Sequence, residues 1–328
     1  MPFSSPSAAH VNTPLTNVAI AYTQRANGFV ADRIFPNVNV QKQSDKYWIF
    51  DRAETNRDEF AKRAPATESR GATLTLSDDT YFAEKWALHY DIPDEHRANA
   101  DSAINLDRLT TQRLIGKGLL KREINFVDRF MASGVWTTQR SGVAASPNAD
   151  NFLQWNDANS TPIEDVQSYM TAMQALTGYR PNKMVITQQV KDKLVRHPDI
   201  IDLIKYGGNN TAPAVVSDAA LAAIFDIPNL FTMGAVRNSA AEGDAESNAF
   251  IGGKKALLLY SPETPSIDEP SAGYTFNWTQ YLGNSPNGIR VKTFRMEKIE
   301  ADRVEAEMFY DQKKTAADLG VYLDSVIA

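Results

Sequence analysis

Residues 178–207, GYRPNKMVITQQVKDKLVRHPDIIDLIKYG, constrain the fold more than any other stretch of the chain. Met184-Val185-Ile186 is a short apolar run of strand type, and Thr187 stands where it can cap a following helix. Val190 and Leu194 fall on one face of that helix. His197-Pro198 interrupts it, because the residue before a proline is pushed out of the α region. Ile200, Leu203 and Ile204 then resume helical spacing, and Gly207 stands where a glycine ends a helix. The stretch reads as strand, helix, break and short helix, and it carries no nucleophile, metal cage or phosphate loop.

Residues 101–133 give the longest helical periodicity, through Ile104, Leu109, Leu119, Leu120, Ile124, Val127, Phe130 and Met131. Arg108, Arg113, Lys117, Arg122 and Asp128 fall mostly off that face. At ~1.5 Å per residue a helix of roughly 45 Å is predicted, ended by Gly134. Gly116 and Gly118 weaken its middle by up to ~1 kcal/mol each relative to alanine. No heptad is sustained, so the helix is expected to lie across a sheet.

Residues 46–92 read as a long hairpin. One strand starts at Tyr47-Trp48-Ile49-Phe50; the other runs over Phe82, Trp86, Leu88, Tyr90 and Ile92, alternating with Ala83, Lys85, Ala87 and His89. The charged segment between them holds Pro65 and Gly71. A connection that long either reaches out to do something or is a flexible surface loop. Residues 1–45 are polar, with short clusters at Phe29-Val30 and Ile34-Phe35, and read as an extended arm laid on a neighbour. Removing residues 1–40 is therefore expected to leave a folded chain.

Thr161, Pro162 and Glu164 form a helix start of capping-box type, with Ile163, Val166, Met170 and Met173 inward and Gly178 at the end. A further helix begins at Ser217, with Leu221, Ile224 and Phe225 inward. Short strands follow at 248–251 and 256–260, with Gly252-Gly253 as a hairpin turn between them, and 261–287 is rich in loop residues. From Gly288 the chain is strand-like again, Val304, Ala306, Met308 and Tyr310 alternating with polar neighbours. Helices and strands segregated in this way predict an α+β fold built from both ends of the chain.

Little in the sequence points to chemistry. There is no cysteine among the 328 residues, which excludes disulfides, thiolate zinc sites and cysteine nucleophiles. His89, Asp91, Asp94, Glu95 and His96 are the best metal-ligand candidates, for a zinc or iron hydrolase. They lack an H-E-x-x-H spacing and Pro93 breaks the segment, so a polar turn is the plainer reading. Gly252-Gly253-Lys254-Lys255 lacks the rest of a phosphate loop, and His197 beside Pro198 reads as a cap. The net charge of −6 argues against a broad nucleic-acid grip, and the five tryptophans are scattered. No apolar run has the length of a membrane span, and no signal peptide opens the sequence. No cofactor and no catalysis are expected.

Several segments in order resemble the tailed-bacteriophage major capsid proteins of the Hong Kong 97 fold family. FDRAETNRDEFAKRAPATESRG is similar to that family's extended loop, and YDIPDEHRANADSAINLDRLTTQRLIGKGLLKREINFVDRF to its spine helix and the entry to it. The stretch 178–207 resembles the core of the axial domain, and FIGGKKALLLYSPETPS with PSAGYTFNW its later strands and loop. The resemblance implies an N-terminal arm at 1–45, an extended loop at 46–92 and a peripheral domain of 93–135 with 288–328. Residues 136–287 would be linker and axial domain. It implies self-assembly into pentamers and hexamers of an icosahedral shell around double-stranded DNA, without sequence-specific binding. Portal and separate scaffold proteins are expected partners, a decoration protein an open one, and the virion, assembled in the host cytoplasm, the location. The loop charges Arg57, Glu59, Lys62, Arg63, Glu68 and Arg70 are the expected contacts between subunits, together with Asp51, Arg52, Glu54 and Asp58; a solvated loop face would suit the same charges. Encapsulin-type bacterial compartment shells share the fold, and the polar N-terminal segment favours the phage reading.

Overall fold

A computed structural model describes residues 10–11, 28–50, 56–71, 76–99, 105–207, 216–266, 269–283 and 288–328. In chain order the first elements are β1 (His10–Val11), α1 (Ala31–Ile34), β2 (Asn37–Val40), β3 (Ser44–Phe50), β4 (Leu76–Phe82), β5 (Glu84–Pro93), α2 (Asp94–Asn99) and α3 (Leu106–Phe130). Next come β6 (Thr138–Val143), β7 (Asn151–Leu153), α4 (Pro162–Thr177), β8 (Lys183–Thr187), α5 (Gln188–Leu194), α6 (Pro198–Gly207) and α7 (Asp218–Phe225). The remainder comprises β9 (Asn229–Met233), β10 (Val236–Asn238), β11 (Asn248–Phe250), β12 (Ala256–Leu259), β13 (Gly273–Trp278), α8 (Thr279–Leu282), β14 (Ile289–Met296), β15 (Ala301–Lys314) and β16 (Gly320–Asp324).

Two six-stranded sheets organise these elements. The first is built on β15, which pairs antiparallel with β14, β13 and β5; β1 pairs with β14, and β2 runs parallel to β13. Tyr310 has Glu84 across one edge and Asn277 across the other, so β13 continues the edge that β14 occupies. β5 is paired along one edge only among the described residues. Leu114, Ile115 and Leu119 of α3 pack on Val291, Val304, Ala306 and Met308 of this sheet. Gly118 lets the helix sit close, since a Cβ there would meet the Met308 sulfur at 3.3 Å.

The second sheet runs β7-β6-β16-β12-β8-β9. All five residues of β8 are buried, as befits a strand covered on both faces. Val166, Met170 and Met173 of α4, Val190 and Leu194 of α5 and Leu221 and Phe225 of α7 join it in one core. Phe126, Val127 and Phe130, near the end of α3, enter that same core. One helix thus belongs to both hydrophobic clusters.

The 178–207 block folds as its punctuation predicts: Gly178 ends α4 at φ 82°, β8 follows, and α5 and α6 flank the Pro198 break. His197 Nδ1 accepts the Asp199 N–H at 3.3 Å, so the histidine caps α6. Ser217 caps α7 by accepting the Ala220 N–H. The capping box is not formed, because Thr161 makes no side-chain cap bond; Pro162 alone marks that start. On the same first turn, Asp165 accepts the buried Trp155 indole at 3.1 Å.

Four expectations are corrected. The long helix is roughly 37 Å rather than 45 Å; it starts at Leu106 with Asn105 as cap and stops at Phe130, four residues before Gly134. Its end is set by side chains, the Trp136 indole taking the Phe130 carbonyl and Lys255 the Met131 carbonyl. Ile104 lies outside the described residues. The hairpin closes with β4 rather than with the 82–92 strand, which instead pairs with β15. Gly252-Gly253 joins strands of two different sheets, since β11 pairs with β10 and β12 with β8 and β16.

The last correction concerns the arm and the domain bounds. Residues 28–40 do not lie free of their own chain: Val30, Ala31, Ile34 and Phe35 are buried in the main core, with Phe35 on Phe126 and Phe130 at 5.5 and 4.9 Å. Sheet membership also crosses the expected boundaries. Residues 273–278 pair with β15, and residues 320–324 lie between β6 and β12 in the other sheet. Strand pairing, which is non-local, overrides the order of segments along the chain.

A chain lacking residues 1–27 keeps this core, whereas one lacking 1–40 loses four core side chains and strand β2. Burying the Val30, Ile34 and Phe35 side chains is worth about 1.5–3 kcal/mol each, and Ala31 adds less. Urea unfolding is expected to show a cooperative transition near that of the full chain for the shorter truncation, and none, or a midpoint far lower, for the longer.

Candidate functional site

The feature of this molecule that its own core does not explain is the β3–β4 ribbon. Ser44 faces Phe82 and Phe50 faces Leu76 across seven paired positions, and residues 56–71 form the described part of its tip. An isolated two-stranded ribbon is marginal in water, so what holds its base matters. Tyr81 stacks on Phe276 at 4.5 Å and Tyr47 approaches the same ring at 5.4 Å. The Phe82 N–H donates to Asp311, which Arg129 of α3 holds at 2.9 Å. Gln43 and Ala83 bond across the entry, and the Trp278 indole donates to the Gln41 carbonyl.

Beyond that base the ribbon stands clear. Trp48 is 65% exposed and Phe60, at the tip, is fully exposed. Tyr47 donates to Asp79 at 2.9 Å, and Lys46 pairs with Asp78 at 2.6 Å across the strands. The Thr80 N–H and the Tyr47 hydroxyl hold the Asp79 carboxyl below its usual range, while burial pushes the Tyr47 hydroxyl up.

The six candidate contact residues, Arg57, Glu59, Lys62, Arg63, Glu68 and Arg70, all lie on the tip. Arg57 and Glu59 approach at 3.7 Å, and Arg63 donates to the Thr67 carbonyl, turning the chain around Pro65-Ala66. None of the six is paired with another element of the chain among the described residues. Asp51, Arg52 and Glu54 lie outside the described residues. The apolar side chains Trp48 and Phe60 were not among the expected contacts; for Phe60, a lone aromatic among charged and small residues was the available signal, and for Trp48 there was none beyond its place in the Tyr47–Phe50 run.

Below the ribbon lies a second constellation, equally unforeseen. Glu123 of α3 is buried and accepts the N–H groups of Val30 and Ala31 at 2.9–3.2 Å, at the start of α1. Lys183 of β8 donates to the carbonyls of Arg33 and Ile34 at 3.1 and 2.8 Å, at its end. Arg122, 1% exposed, reaches Asp32 at 2.5 Å and Asn277 at 3.0 Å, and lies over the Tyr310 ring. Arg122 therefore sits on the core face of α3 and not off it, as its charge had suggested. Burial pushes the Glu123 carboxyl up to about 7 despite its backbone hydrogen bonds, and burial brings Lys183 down to about 8 against the attraction of Glu263.

A third cluster stiffens the first sheet. Glu307 is completely buried and accepts from Lys85, Arg290 and Lys292 at 2.7–2.8 Å. Burial alone would raise that carboxyl, yet the three cations bring it to about 2.

The metal-ligand candidates do not converge. Asp91 is held by both arms of Arg303 and Asp94 by both arms of Arg295, while His89 and His96 stand on β5 and α2. Among the described residues no three such side chains gather into a metal-holding group. Ser160 Oγ and His197 Nε2 lie 3.0 Å apart with Asp199 nearby, which superficially resembles a hydrolytic triad. Both groups instead turn to the Asp157 carbonyl, and Nδ1 is occupied by the α6 cap, so the imidazole has no free lone pair to take the serine proton. Among the described residues no helix is long and apolar enough to cross a membrane.

With this geometry in place, similarity to known proteins is informative. The family described as phage major capsid protein E matches residues 145–267, the stretch from the β6–β7 turn through β12 and its exit. The chain is 25% identical over 301 residues to the major capsid protein of Burkholderia phage BcepMu, covering 89% of this chain and 90% of that one. It is 23% identical over 318 residues to the major capsid protein of Pseudomonas phage JBD67, with 97% of each covered. Among solved structures, a phage-related protein of Bordetella bronchiseptica RB50 aligns with a TM-score of 0.71 at 18% identity, over 97% of this chain and 98% of that one. The capsid of cyanophage P-SCSP1u gives 0.54 at 12% identity, over 89% and 86%. An encapsulin complex of Synechococcus elongatus PCC 7942 gives 0.52 at 10%, over 90% and 87%. The fold is the Hong Kong 97-like α+β capsid fold that the sequence led us to expect.

The Glu123 carboxyl yields a pH prediction. Its folded pKa, about 7, exceeds the unfolded value near 4.5, so its favourable contribution is complete below about 4.5 and is lost as pH rises through about 7. Stability of the wild-type chain is expected to fall by about 2–3 kcal/mol from this group across that window. Glu123→Gln should flatten that part of the profile when urea midpoints are measured from pH 5 to about 8.

Proposed function

We propose that this chain is a phage major capsid protein, the shell subunit of a tailed-phage head that assembles into pentamers and hexamers around double-stranded DNA. What carries this reading is that the likeness to two phage major capsid proteins runs along 89% and 97% of the chain, not over one module. The encapsulin likeness, at 10% identity, speaks to the shared fold alone.

In that reading the β3–β4 ribbon is the extended loop, docking on a second copy. Its base is locked to β13 and β15, which sets the direction of projection, and its tip has no partner within the chain among the described residues. Arg57, Lys62, Arg63 and Arg70, with Glu59 and Glu68, would supply register, each exposed pair contributing ~0–1 kcal/mol and gaining weight by repetition. Phe60 and Trp48 would supply the apolar contact that charges alone do not. The region around α3, β5, β14 and β15 would be peripheral, and the β6–β9 sheet with its helices axial, corrected for the strands that cross between them. A separate scaffold, a portal and, where present, a decoration protein complete the expected partners, and the virion is the location.

Negative-stain imaging of purified protein is expected to show closed shells. In the variant Arg57→Glu, Arg63→Glu, Arg70→Glu shells should be lost or malformed, while the isolated subunit stays within about 0.5 kcal/mol of wild type, as exposed substitutions do. Normal shells from this variant would remove the ribbon from the interface; discrete small oligomers from wild-type protein would remove the shell reading itself.

A further inference from the structure

Along the flank of α3 beside β5, Arg113, Lys117 and Lys121 succeed one another at every fourth residue. That spacing puts them in a line, one per turn, about 6 Å apart and about 12 Å in all. Arg113 and Lys117 are exposed and Lys121 is half-buried. None forms an ion pair among the described residues. Of the nearby acids, Asp107 pairs with Arg97, Asp91 with Arg303 and Asp94 with Arg295, and Glu123 lies in the core. Glu84, exposed two residues before Trp86 on β5, forms no ion pair with the row among the described residues. Asp128 lies about 10 Å further along the helix from Lys121. The two ammonium groups are held by rings of β5, Lys117 at 5.5 Å from the Tyr90 centroid and Lys121 at 4.5 Å from that of Trp86. Each ring offers its negative face to the ammonium without neutralising its charge.

We propose that this stripe meets the phosphate backbone of the enclosed double-stranded DNA; the proposal rests on the shell reading above. In a chain of net charge −6, an unpaired row of three cations is a local reversal of sign. Contacts from such a row to phosphates would position the duplex without carrying sequence information. Duplex DNA offers a charge per strand every ~3.4 Å along its axis, so a row ~12 Å long meets a few phosphates at once. The cavity lined by Asp32, Arg33, Lys183 and Phe231 does not include this face.

The test uses full-length subunits before assembly and a fluorescent duplex of about 20 base pairs, titrated at salt from about 25 to 200 mM. Wild-type protein should bind weakly, with affinity falling steeply as salt rises. The variant Arg113→Gln, Lys117→Gln, Lys121→Gln should bind about tenfold or more weakly at low salt, and its log–log salt slope should be shallower by about 3, near 0.9 for each phosphate no longer neutralised. Lys193→Gln, Arg196→Gln, Arg237→Gln removes the same charge from exposed positions elsewhere and should leave the slope unchanged. An equal weakening in that control, an unchanged slope in the stripe variant, or binding of poly-glutamate in preference to DNA would each overturn the proposal, the last in favour of an acidic protein partner. Imaging the same preparations separates the two readings: shells with an unchanged slope overturn the stripe alone, and wild-type protein that forms no shells overturns the reading beneath it.

Discussion

A four-residue helix, Ala31–Ile34, is held at both ends by buried charges that come from different parts of the molecule. The Glu123 carboxylate takes the free N–H groups at its start, and the Lys183 ammonium takes the free carbonyls at its end. Each charge complements the partial charge of that helix end. Each would be costly in the core without such partners. Glu123 belongs to the long helix over the first sheet and Lys183 to the buried strand of the second, so this one turn of chain ties the two sheets together. Removing it would leave both charges stranded, with Arg122 losing Asp32 as well.

The long helix is the other tie. Its first half packs on β14 and β15 and its second half enters the core of the other sheet, so the two hydrophobic clusters cannot rotate freely past each other. The ribbon β3–β4 starts from this rigid frame. Tyr47, Tyr81 and Phe276 form its root, and Arg129 carries the connection back to the helix through Asp311. A projecting element rooted in this way keeps a defined direction while its tip remains free to meet another surface.

How much of this was legible in the sequence depended on whether burial left a periodic trace. Helices α3 and α4 and the 178–207 block have one apolar face each, and the spacing of Leu119, Phe126, Val166 and Met170 reveals it. Strand β4, LSDDTYF, leaves no such trace, because Ser77 to Thr80 are exposed on both faces and only Tyr81, near its end, is buried among the described residues, so nothing selects apolar side chains on alternate positions. The better-patterned 82–92 segment therefore took its place as the hairpin's return, wrongly. Strand β13 was hidden within a stretch of loop residues, because Pro265 and Pro270 before it, Gly273 at its start and Gly283 and Pro286 after it read as turns. Arg122 passed for a surface residue because a charge in a helix ordinarily is one, and Glu123 drew no notice; their spacing from Leu119 and Phe126 places them on the core face, and only the partners from α1 and β13 make that tolerable. The tip charges were legible as a group, whereas the anchoring of the ribbon depended on residues some 230 positions away in sequence, such as Asp311.

Strand β5 is hydrogen-bonded to β15 on one side and, among the described residues, open on the other. An open strand edge is a template for further strands, and a subunit that accumulates in quantity before use risks stacking edge to edge into fibres. This edge carries Glu84 and Lys85 at its start and His89 and Asp91 further along, and it ends at Pro93. Charges and proline at a sheet margin discourage unwanted pairing. The molecule thereby steers contact between copies away from backbone hydrogen bonds, which are indifferent to sequence and have no natural stopping point, and towards side-chain surfaces, where geometry can dictate closure.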